Sequence, residues 1–514
     1  MTKPIVGLDF GACNIKAIYI KNGRQRNIKL NKNQSSGAGI PNIIYYDAKQ
    51  ESGEQDIKVG EPAAMKTDEK NKVTYIKRKL EEKEWKTYIE NLGKEVTAQE
   101  VVEGIFNWLQ KRIAETLSTD DFDTVITVPV CFSEVQRQII SQAADKAGLH
   151  IKAVITESFA AIFSQEDLCD EDDEQHILVF DFGGSTLDLS LFHIEKDEDE
   201  VEITEEASAG LHYGGIDIDR DIYEQLFKQK YEEEVKEIIA SDPRDQQIAE
   251  MELLNVVKRI KEDIFADEDE EEVEYNFGAK NHEVYEFILT KEEVIAVFDK
   301  INLKAKLVTA MDALLEGADE FDKEELTKVK VFGGSSSIDY VRNILVDYFG
   351  EDIFEDDDWE IDEIYMAIAG GAARYAYLRD EDDEYEYTIS NCIPFSIGLN
   401  RAGEFVKYIN RNENYGFETL LSYITIADLQ ADDYKVDVYQ CFKDVDAVDI
   451  NDEDIIYMGC VQLNKDLYTA KDAINFKMKM SKDGSLKFSF FEQVEVDGEK
   501  EMVLRESLAV LIGG

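Results

Sequence analysis

Two segments of the chain, Ile5 to Ile20 and Ile177 to Ile194, share one design. Each begins with an apolar strand, turns on Asp-Phe-Gly and other small residues, and continues as a second strand. An apolar run, a glycine turn and an alternating run are typical of a β-hairpin. Because internal repetition indicates a duplicated architecture, we expect two similar halves with Asp9 and Asp181 at equivalent positions.

The turn of each hairpin has the composition of an anion site. Glycines let the backbone approach a ligand closely, so that N–H groups can face a phosphate. Asp9 and Asp181 end buried strands, where a carboxylate is costly unless it meets a cation. Two such turns could hold one nucleotide phosphate tail and its Mg²⁺ from both sides. The plainer interpretation is a pair of ordinary hairpins with glycine turns.

The charge of the chain narrows its range of ligands. A formal charge of −55 over 514 residues disfavours nucleic acid and anionic membranes as partners. It does not exclude a nucleotide, because Mg²⁺ and local N–H groups outweigh a field that is screened over about 8 Å. Six cysteines without a Cys-x-x-Cys pair suit a reducing cytosol, and the five histidines show no metal-ligand spacing. With no apolar run of membrane-spanning length and no room for a signal peptide before Ile5, a cytoplasmic protein is predicted.

The order of the patterns indicates an α/β part followed by a β part. Strands alternate with helices up to Leu378; capping boxes at Thr97 and Ser133 mark two helix starts, and a helix rich in small residues at Ile364 to Leu378 should pack close to backbone. Beyond it, alternating runs such as Ile474 to Met480 favour an antiparallel β-sandwich. The expected division is 1–378 in two lobes (about 1–174 and 175–378), an exposed acidic linker at 379–388, and a β domain at 389–514.

Several motifs occur in the order found in one family. They are Val125 to Pro129 with Phe132, Gln136-Arg137-Gln138 and Ala147-Gly148-Leu149; Phe180 to Asp188; Gly214 to Asp217; and Phe332 to Ser336. From Ile5 to about Leu508 the chain resembles the seventy-kilodalton heat-shock chaperone family (heat shock protein 70), within the actin/hexokinase-like ATPase superfamily. The resemblance implies a duplicated actin-like, ribonuclease H-like ATPase domain followed by a β-sandwich. It also implies ATP or ADP with Mg²⁺ as cofactors, and K⁺ as a further candidate cation.

The resemblance implies roles for individual residues. Asp9 and Asp181 match the carboxylates that hold Mg²⁺, and Lys77 the lysine that positions the γ-phosphate and the attacking water. The other catalytic positions are Glu157, Thr186 and Asp188. Expected nucleotide-binding residues are Gly11, Ala12, Cys13, Gly183, Gly184, Ser185, Gly214, Gly215, Lys261, Gly333, Gly334 and Ser335. Pro129 and Arg137 match an allosteric relay to the substrate domain.

Each of these residues also has a simpler interpretation. Lys77 lies beside Arg78 and Lys79 and could be a surface cation, and Glu157 could be an acid at a helix N-terminus. Pro129 could simply end a strand, and Arg137 could lie on a helix surface. The ordered set of motifs favours the functional interpretation.

Several residues depart from the family pattern at the positions that contact the phosphates and the base of the nucleotide. Ala12-Cys13 replaces two hydroxyl residues, so that phosphate contact there must come from backbone N–H groups. In the adenine-clamp helix only Lys261 is kept, because Lys258, Glu262 and Phe265 replace an acid, a basic residue and a hydroxyl. Ser337 replaces the arginine that stacks on adenine, a contact worth roughly 0.5–2 kcal/mol. Adenine preference is therefore expected to be weaker than phosphate binding.

Three further departures concern the chaperone cycle. The segment Arg379 to Tyr387 is acidic where the family has a leucine-rich linker, and Ala153 stands where a basic residue meets J-domain partners, so a J-domain partner is not expected. A nucleotide-exchange cochaperone stays a candidate partner. No helical lid is expected after the β domain, which predicts fast exchange of bound peptide.

These observations predict an ATP-hydrolysing, chaperone-like protein that binds unfolded or extended apolar polypeptide through its β domain. The alternative is a nucleotide-gated binding or assembly module for one specific partner, without general chaperone activity. A small-molecule kinase on the same ATPase fold is a third possibility, against which the β domain argues.

Overall fold

The computed structural model describes residues 3–32, 39–48, 56–82, 84–164, 174–197, 200–241, 246–266, 269–318, 321–354, 361–380, 386–425, 434–443, 445–468, 473–481, 484–496 and 499–512. In these ranges, none of the helices combines the length and the apolar character needed to cross a membrane.

The first predicted hairpin forms the centre of the first sheet. Ile5–Phe10 pairs antiparallel with Asn14–Lys21, and the sheet runs in the order β11-β10-β1-β2-β3 with β4 against β2. The strands up to this point in the chain are β1 (Ile5–Phe10), β2 (Asn14–Lys21), β3 (Arg24–Asn27), β4 (Ile40–Pro41), β5 (Ile43–Tyr46), β6 (Ile57–Val59), β7 (Lys72–Thr74), β8 (Lys86–Ile89), β9 (Lys94–Thr97), β10 (Asp123–Val128) and β11 (His150–Thr156).

The helices of this part begin where their capping residues predict. They are α1 (Glu61–Ala64), α2 (Ile76–Lys79), α3 (Ala98–Leu117), α4 (Glu134–Lys146) and α5 (Glu157–Ile162). Thr97 and Ser133 form capping boxes with Glu100 and Gln136, which confirms both predicted helix starts.

The second hairpin forms the centre of a second sheet with the order β17-β12-β13-β14-β18. Its strands, with a separate hairpin of β15 and β16, are β12 (Glu174–Phe182), β13 (Leu187–Asp197), β14 (Glu200–Leu211), β15 (Glu272–Gly278), β16 (Val284–Thr290), β17 (Lys328–Phe332) and β18 (Glu386–Ser390). In both sheets a parallel strand lies beside the first strand of the hairpin, β10 beside β1 and β17 beside β12. The predicted duplication is confirmed.

The helices of the second half are α6 (Gly215–Ile222), α7 (Lys228–Lys230), α8 (Glu232–Ser241), α9 (Gln246–Ile264), α10 (Lys291–Lys300), α11 (Leu303–Leu315), α12 (Asp339–Phe349) and α13 (Ile361–Asp380). One π-helical turn, Tyr223–Phe227, joins α6 to α7, and three short 3₁₀ turns lie at Glu69–Asn71, Lys323–Glu325 and Glu351–Ile353. Helices α6 and α9 lie over the second sheet and share its core with β12 and β13.

Helix α13 returns to the first sheet and joins the two halves. A Cβ on Gly7 of β1 would lie 1.9 Å from the Ala369 carbonyl oxygen, and one on Gly371 would lie 1.8 Å from that of Ala160 in α5. Its side chains share one core with Ile18 of the first sheet and Val179 of the second. The close backbone packing expected of the small-residue helix is confirmed, and the helix contacts residues of both sheets.

The C-terminal part is a pair of antiparallel sheets around one core, as predicted. Its elements are β19 (Ser396–Arg401), β20 (Glu404–Ile409), β21 (Ser422–Thr425), β22 (Lys435–Cys441), β23 (Ala447–Asp449), β24 (Ile455–Gln462), α14 (Lys465–Tyr468), β25 (Ala473–Met480), β26 (Leu486–Val496), β27 (Glu499–Ala509) and β28 (Leu511–Ile512). The sheets run β23-β20-β19-β22-β24-β28 and β21-β25-β26-β27. Side chains such as Ile397 from the first and Phe476 from the second meet in the shared core.

Both ends of the segment expected to be an exposed linker have regular secondary structure. Helix α13 continues through Asp380, and β18 adds in parallel to β14 at the edge of the second sheet. Tyr387 and Ile389 are half-buried against the core around α13. Residues 381–385 lie outside the described residues. The expectation of an exposed segment is therefore wrong for Tyr387, because strand addition covers it.

Replacing Gly371 by alanine should destabilise the contact between α13 and α5. The added Cβ meets backbone atoms, which cannot move aside as a side-chain end can. We expect a loss of at least about 1–3 kcal/mol, measured as a lower urea midpoint by far-UV circular dichroism.

Gly104→Ala is the matched control, because Gly104 is also helical and its Cβ would meet only side-chain atoms, the closest being Ile44 Cδ1 at 3.3 Å. Its midpoint should stay the same or rise, since alanine favours the helix by about 1 kcal/mol. Equal midpoints for the two variants would contradict the packing described for α13.

Candidate active site

The second of the two predicted phosphate loops, at Gly183 to Ser185, is held in place by neighbouring glycine turns. The N–H of Gly183 donates to the Thr186 carbonyl at 2.9 Å, and those of Gly215 and Ile216 donate to the carbonyls of Gly183 and Gly184 at 3.1 and 2.8 Å. Ser335 donates through its N–H to Phe182 and through its hydroxyl to Gly183, each at 2.9 Å. The motifs at Gly183, Gly214 and Gly333 therefore meet although they are far apart in sequence.

Two glycines are required by this close approach. Gly333 has φ +84°, and a Cβ there would lie 2.4 Å from Asp181 Oδ1. A Cβ on Gly214 would lie 2.6 Å from the backbone of Gly184 and Ser185. A larger residue at either position would push the acidic strand end or the second loop out of place.

The loops of both halves line one cleft with a volume of about 450 Å³. Sixteen of the predicted catalytic and nucleotide-binding residues line it: Asp9, Gly11, Ala12, Cys13, Lys77, Glu157, Asp181, Gly183, Gly184, Ser185, Thr186, Gly215, Lys261, Gly333, Gly334 and Ser335. Asp9 and Asp181 thus face the same space. Asp188, Gly214, Pro129 and Arg137 are absent from this lining.

The acidic strand ends form part of a buried cluster with excess negative charge. Asp9, Asp181 and Asp188 are each at most 5% exposed, and Glu157 lies beside them. Burial raises the pKa of Asp181 well above its ordinary value, and the charges of Glu157, Asp188 and Asp9 raise it further. Carboxylate oxygens are the ligands that Mg²⁺ prefers, and a dication would relieve this repulsion, so the residues fit the metal.

Two lysines form ion pairs with carboxylates of this cluster. Lys16 Nζ lies 3.2 Å from Asp9 Oδ2, and buried Lys77 forms an ion pair with Glu157. Burial alone would lower the pKa of Lys77, but the charges of Glu157 and Asp9 outweigh it, and the pKa is raised. Lys77 therefore keeps its positive charge in the cleft and can face an anionic group.

The backbone before Lys77 is strained in a way that directs it into the cleft. Tyr75 adopts a left-handed conformation (φ 52°, ψ 38°) directly before α2, the single helical turn that carries Lys77. Such a conformation costs a non-glycine residue of order 1–3 kcal/mol and is found most often at functional sites. The simpler interpretation of Lys77 as a surface cation does not fit its 2% exposure.

Asp188 lies behind the cleft and connects it to the relay residues. Its carboxylate accepts the Val130 N–H at 2.5 Å, directly after Pro129. The Arg137 guanidinium donates to the carbonyls of Phe132 and Pro129 at 3.3 and 3.5 Å. Arg137 is buried, so the interpretation as a helix-surface residue is wrong, while its role as a relay stays a prediction.

The altered clamp residues lie at one end of the cleft. Lys258, Lys261, Glu262, Phe265 and Ser337 all line it. The Lys261 ammonium forms an ion pair with Asp219 at 2.6 Å and donates to the Gly215 carbonyl at 3.3 Å. This end offers an aromatic ring and charged groups in place of a stacking arginine.

Sequence reasoning missed several lining residues, among them Asn14, Lys16, Asp219 and Ile338. Lys16 could have been found, because Asp9 and Lys16 are direct partners across the β1–β2 hairpin and residues opposite each other share a face. No local pattern of this kind marks Asp219, because its partner Lys261 lies on α9, far along the sequence.

The C-terminal β part contacts the second sheet and α4 through polar groups. The Arg411 guanidinium donates to the Ser208 carbonyl at 2.5 Å, and the Glu134 N–H donates to Gln440 Oε1 at 2.8 Å. The Asn412 side chain accepts the Ser208 N–H at 3.2 Å. These contacts place the β part beside the start of α4, the helix that carries Arg137.

A chain of buried hydrogen bonds runs from this contact towards the cleft. The Cys392 N–H donates to Glu205 Oε2 at 3.1 Å, and the Ser190 hydroxyl donates to Glu205 Oε1 at 2.7 Å. The hydroxyls of Ser190 and Ser158 lie 2.7 Å apart, and Ser158 follows Glu157 in α5. Glu205, Ser190 and Ser158 are each at most 2% exposed.

The sequence is similar to known proteins over most of its length. The family profile described as Hsp70 protein matches residues 5–453. A chaperone protein HscA homolog from Pseudoalteromonas atlantica is 27% identical over 83% of this chain and 67% of the relative. Chaperone protein DnaK from Picrophilus torridus and from Methanothermobacter thermautotrophicus are each 26% identical over 83% of this chain and over 66% and 68% of their own lengths.

The chain therefore spans about two thirds of the length of these relatives. The match to the profile covers both hairpins, the cleft and much of the C-terminal β part. This protein belongs to the Hsp70 family.

Proposed function

We propose that the protein binds and hydrolyses Mg²⁺-ATP in the cleft between its two hairpins and uses this to control polypeptide binding by its β part. The observation that carries the proposal is the cluster of buried carboxylates at two equivalent strand ends, facing one cleft with Lys77. Phosphoryl transfer needs positioning and charge stabilisation with little covalent chemistry, which these groups supply.

The residues would divide the work as follows. Asp9 and Asp181 would hold Mg²⁺ between them, and the ion would neutralise the triphosphate. Lys77, fixed by Glu157, would face the γ-phosphate and the attacking water. Thr186 offers a hydroxyl beside the same space, and the loops at Gly11 and Gly183 bring backbone close to the phosphates.

Recognition of the base would be weaker than recognition of the phosphates. Ala12 and Cys13 offer no side-chain hydroxyl, and the Ser337 hydroxyl already donates to the Gly334 carbonyl at 2.8 Å. Phe265 lines that end of the cleft and can contact a base through its ring. We therefore propose that affinity depends mainly on the phosphates and the metal.

The domain division that we propose keeps the predicted boundaries: an ATPase domain at 1–378 and a β domain at 389–514, joined at 379–388. Strand β18 and the contacts of Arg411, Asn412 and Gln440 support a docked arrangement of the two. The bonds from Cys392 through Glu205 and Ser190 to Ser158 give the docked β domain a continuous path to α5 beside Glu157. Pro129 and Arg137 lie on a second path through Asp188.

The ligand proposed for the β domain is an extended apolar polypeptide. Exposed apolar side chains in β21 and directly before it, namely Leu420, Leu421 and Tyr423, support an apolar contact surface. An extended chain can add main-chain hydrogen bonds to such a sheet while its side chains enter apolar pockets. A J-domain partner is not proposed, because Ala153 offers no charge.

Lys77→Ala and Asp181→Asn should each abolish most ATP hydrolysis while leaving the fold intact. Lys77→Ala removes the buried cation from the cleft, and Asp181→Asn removes a metal-binding charge. We expect turnover to fall by about 100-fold or more, as for loss of one charge-stabilising group, in a phosphate-release assay.

Lys79→Ala is the control for the lysine, because Lys79 lies on the same helix and forms an ion pair with the exposed side chain of Glu82. Its turnover should equal that of the wild type. Full activity of Lys77→Ala or Asp181→Asn would show that the cleft is not the hydrolytic site.

Peptide should stimulate ATP hydrolysis by the wild-type protein if the β domain binds extended segments. A short apolar peptide is expected to raise turnover, and a peptide of the same length with its apolar residues replaced by serine should not. Equal turnover with both peptides would contradict the general peptide-binding function and favour a module for one specific partner.

The docked state, in which the β domain contacts the ATPase domain, should become more stable as pH falls from about 7 towards 5. Burial raises the pKa of Glu205 and of Glu134 to about 7, and both lie at the contact with the β part. Undocking would expose these carboxyls and return each pKa towards its ordinary 4.5, so the docked state holds the protons more tightly. Each group then favours docking by up to about tenfold per pH unit between these values.

The shift towards the docked state should appear in small-angle scattering as a smaller radius of gyration at low pH. Glu205→Gln should weaken the pH dependence, whereas Glu202→Gln, an exposed acid on the same strand, should leave it unchanged. A radius of gyration that rises on acidification of the wild type would contradict the assignment.

A further inference from the structure

The end of the second hairpin away from the phosphate loop carries two histidines and a glutamate. His176 of β12 and His193 of β13 are direct partners in the antiparallel register, and Glu174 lies two residues along β12 on the same face. The five histidines show no metal-ligand spacing along the sequence, but the hairpin register brings two of them together.

The three side chains are close enough to share one ion. The imidazole rings are stacked with centroids 4.6 Å apart and 12° between their planes. His193 Nε2 lies 3.1 Å from Glu174 Oε1, and one ligand atom from each of the three residues lies within 4.8 Å of the others. We propose that Glu174, His176 and His193 bind a transition-metal dication, with Zn²⁺ as the leading candidate.

The donor set selects this class of metal. Imidazole nitrogens suit Zn²⁺, Cu²⁺ and Ni²⁺, whereas Mg²⁺ and Ca²⁺ prefer oxygen ligands. In a tetrahedral zinc site with bonds of about 2.0–2.1 Å, two ligand atoms lie roughly 3.3 Å apart, close to the separation already present between His193 and Glu174. His176 has to move its ring nitrogen inwards, and the fourth position stays open for water.

The surroundings hold one ligand firmly and leave the site reachable. The backbone of His176 is fixed by Thr327, which donates its N–H to the His176 carbonyl at 2.9 Å and accepts the His176 N–H at 3.0 Å. The ring of Phe321 lies 5.2 Å from that of His176. Both histidines are half-buried and Glu174 is exposed, so an ion can enter from solvent.

A metal here would act on the hairpin and not on the nucleotide. His176 is five residues from Asp181 along the same strand, a separation of roughly 16 Å. The ion would cross-link β12 to β13, the strands that carry Asp181 and Asp188. It would therefore stabilise the second sheet without contacting the cleft.

Isothermal titration with ZnCl₂ tests the site, in a buffer with excess Mg²⁺ to suppress binding to exposed acids. The wild type should bind Zn²⁺, and His176→Ala and His193→Ala should each lose at least the 10- to 100-fold in affinity that loss of a supporting group costs. His150→Ala, which removes an exposed histidine from β11, should bind as the wild type does. Undiminished zinc affinity in either His176→Ala or His193→Ala would overturn the proposal.

A second measurement uses the wild-type protein, so its result does not depend on whether the variants fold. Electron paramagnetic resonance of bound Cu²⁺ should show hyperfine coupling to two nitrogen ligands. One nitrogen ligand or none would overturn the proposal, whatever the variants do.

Discussion

The buried cluster of Asp9, Glu157, Asp181 and Asp188 is the constraint on which the rest of the structure depends. Two ammonium groups, Lys16 and Lys77, face these carboxylates, so the cluster keeps an excess of negative charge. Such a cluster is unfavourable by itself and favourable around a dication. The cluster therefore carries a repulsion that a bound dication would relieve.

The architecture serves to bring two strand ends to the same place. Each hairpin carries an aspartate one residue before the end of its first strand, and each is flanked by a parallel strand, β10 beside β1 and β17 beside β12. Helix α13 packs its backbone against β1 and α5 through Gly7 and Gly371, where a single methyl group would clash. The approach of the halves therefore depends on residues that carry no chemistry.

Local patterns predicted the parts of the fold that local physics determines. Both hairpins, the capping boxes at Thr97 and Ser133 and the antiparallel β25–β26 pair follow from alternation and turn chemistry, and all are present. Such patterns do not predict contacts between residues that lie far apart in the sequence. The return of α13 to the first sheet and the pairing of Asp219 with Lys261 depend on tertiary packing, which a single sequence does not display.

The same difference between what local patterns predict and what they miss applies to the candidate site. The aspartates, glycines and Lys77 were predicted because the resemblance to the family assigns roles to them. Lys16 was missed although the hairpin register implies it, and Glu205 was missed because it is one of several acids along β14. Its neighbours Glu202 and Glu206 are less buried, so that composition gives no sign of which acid turns inwards.

The acidic linker shows why the absence of aliphatic residues does not prevent docking. Strand β18 pairs with β14 through main-chain groups, and these hydrogen bonds are the same for any side chain. Period-two alternation then turns Tyr387 and Ile389 towards the core around α13 and leaves Glu386 and Thr388 exposed. The Glu386 side chain stays in water while two apolar side chains are covered. A segment that looks like a solvated tether by composition can thus complete a sheet, and it places Cys392 where its N–H meets Glu205.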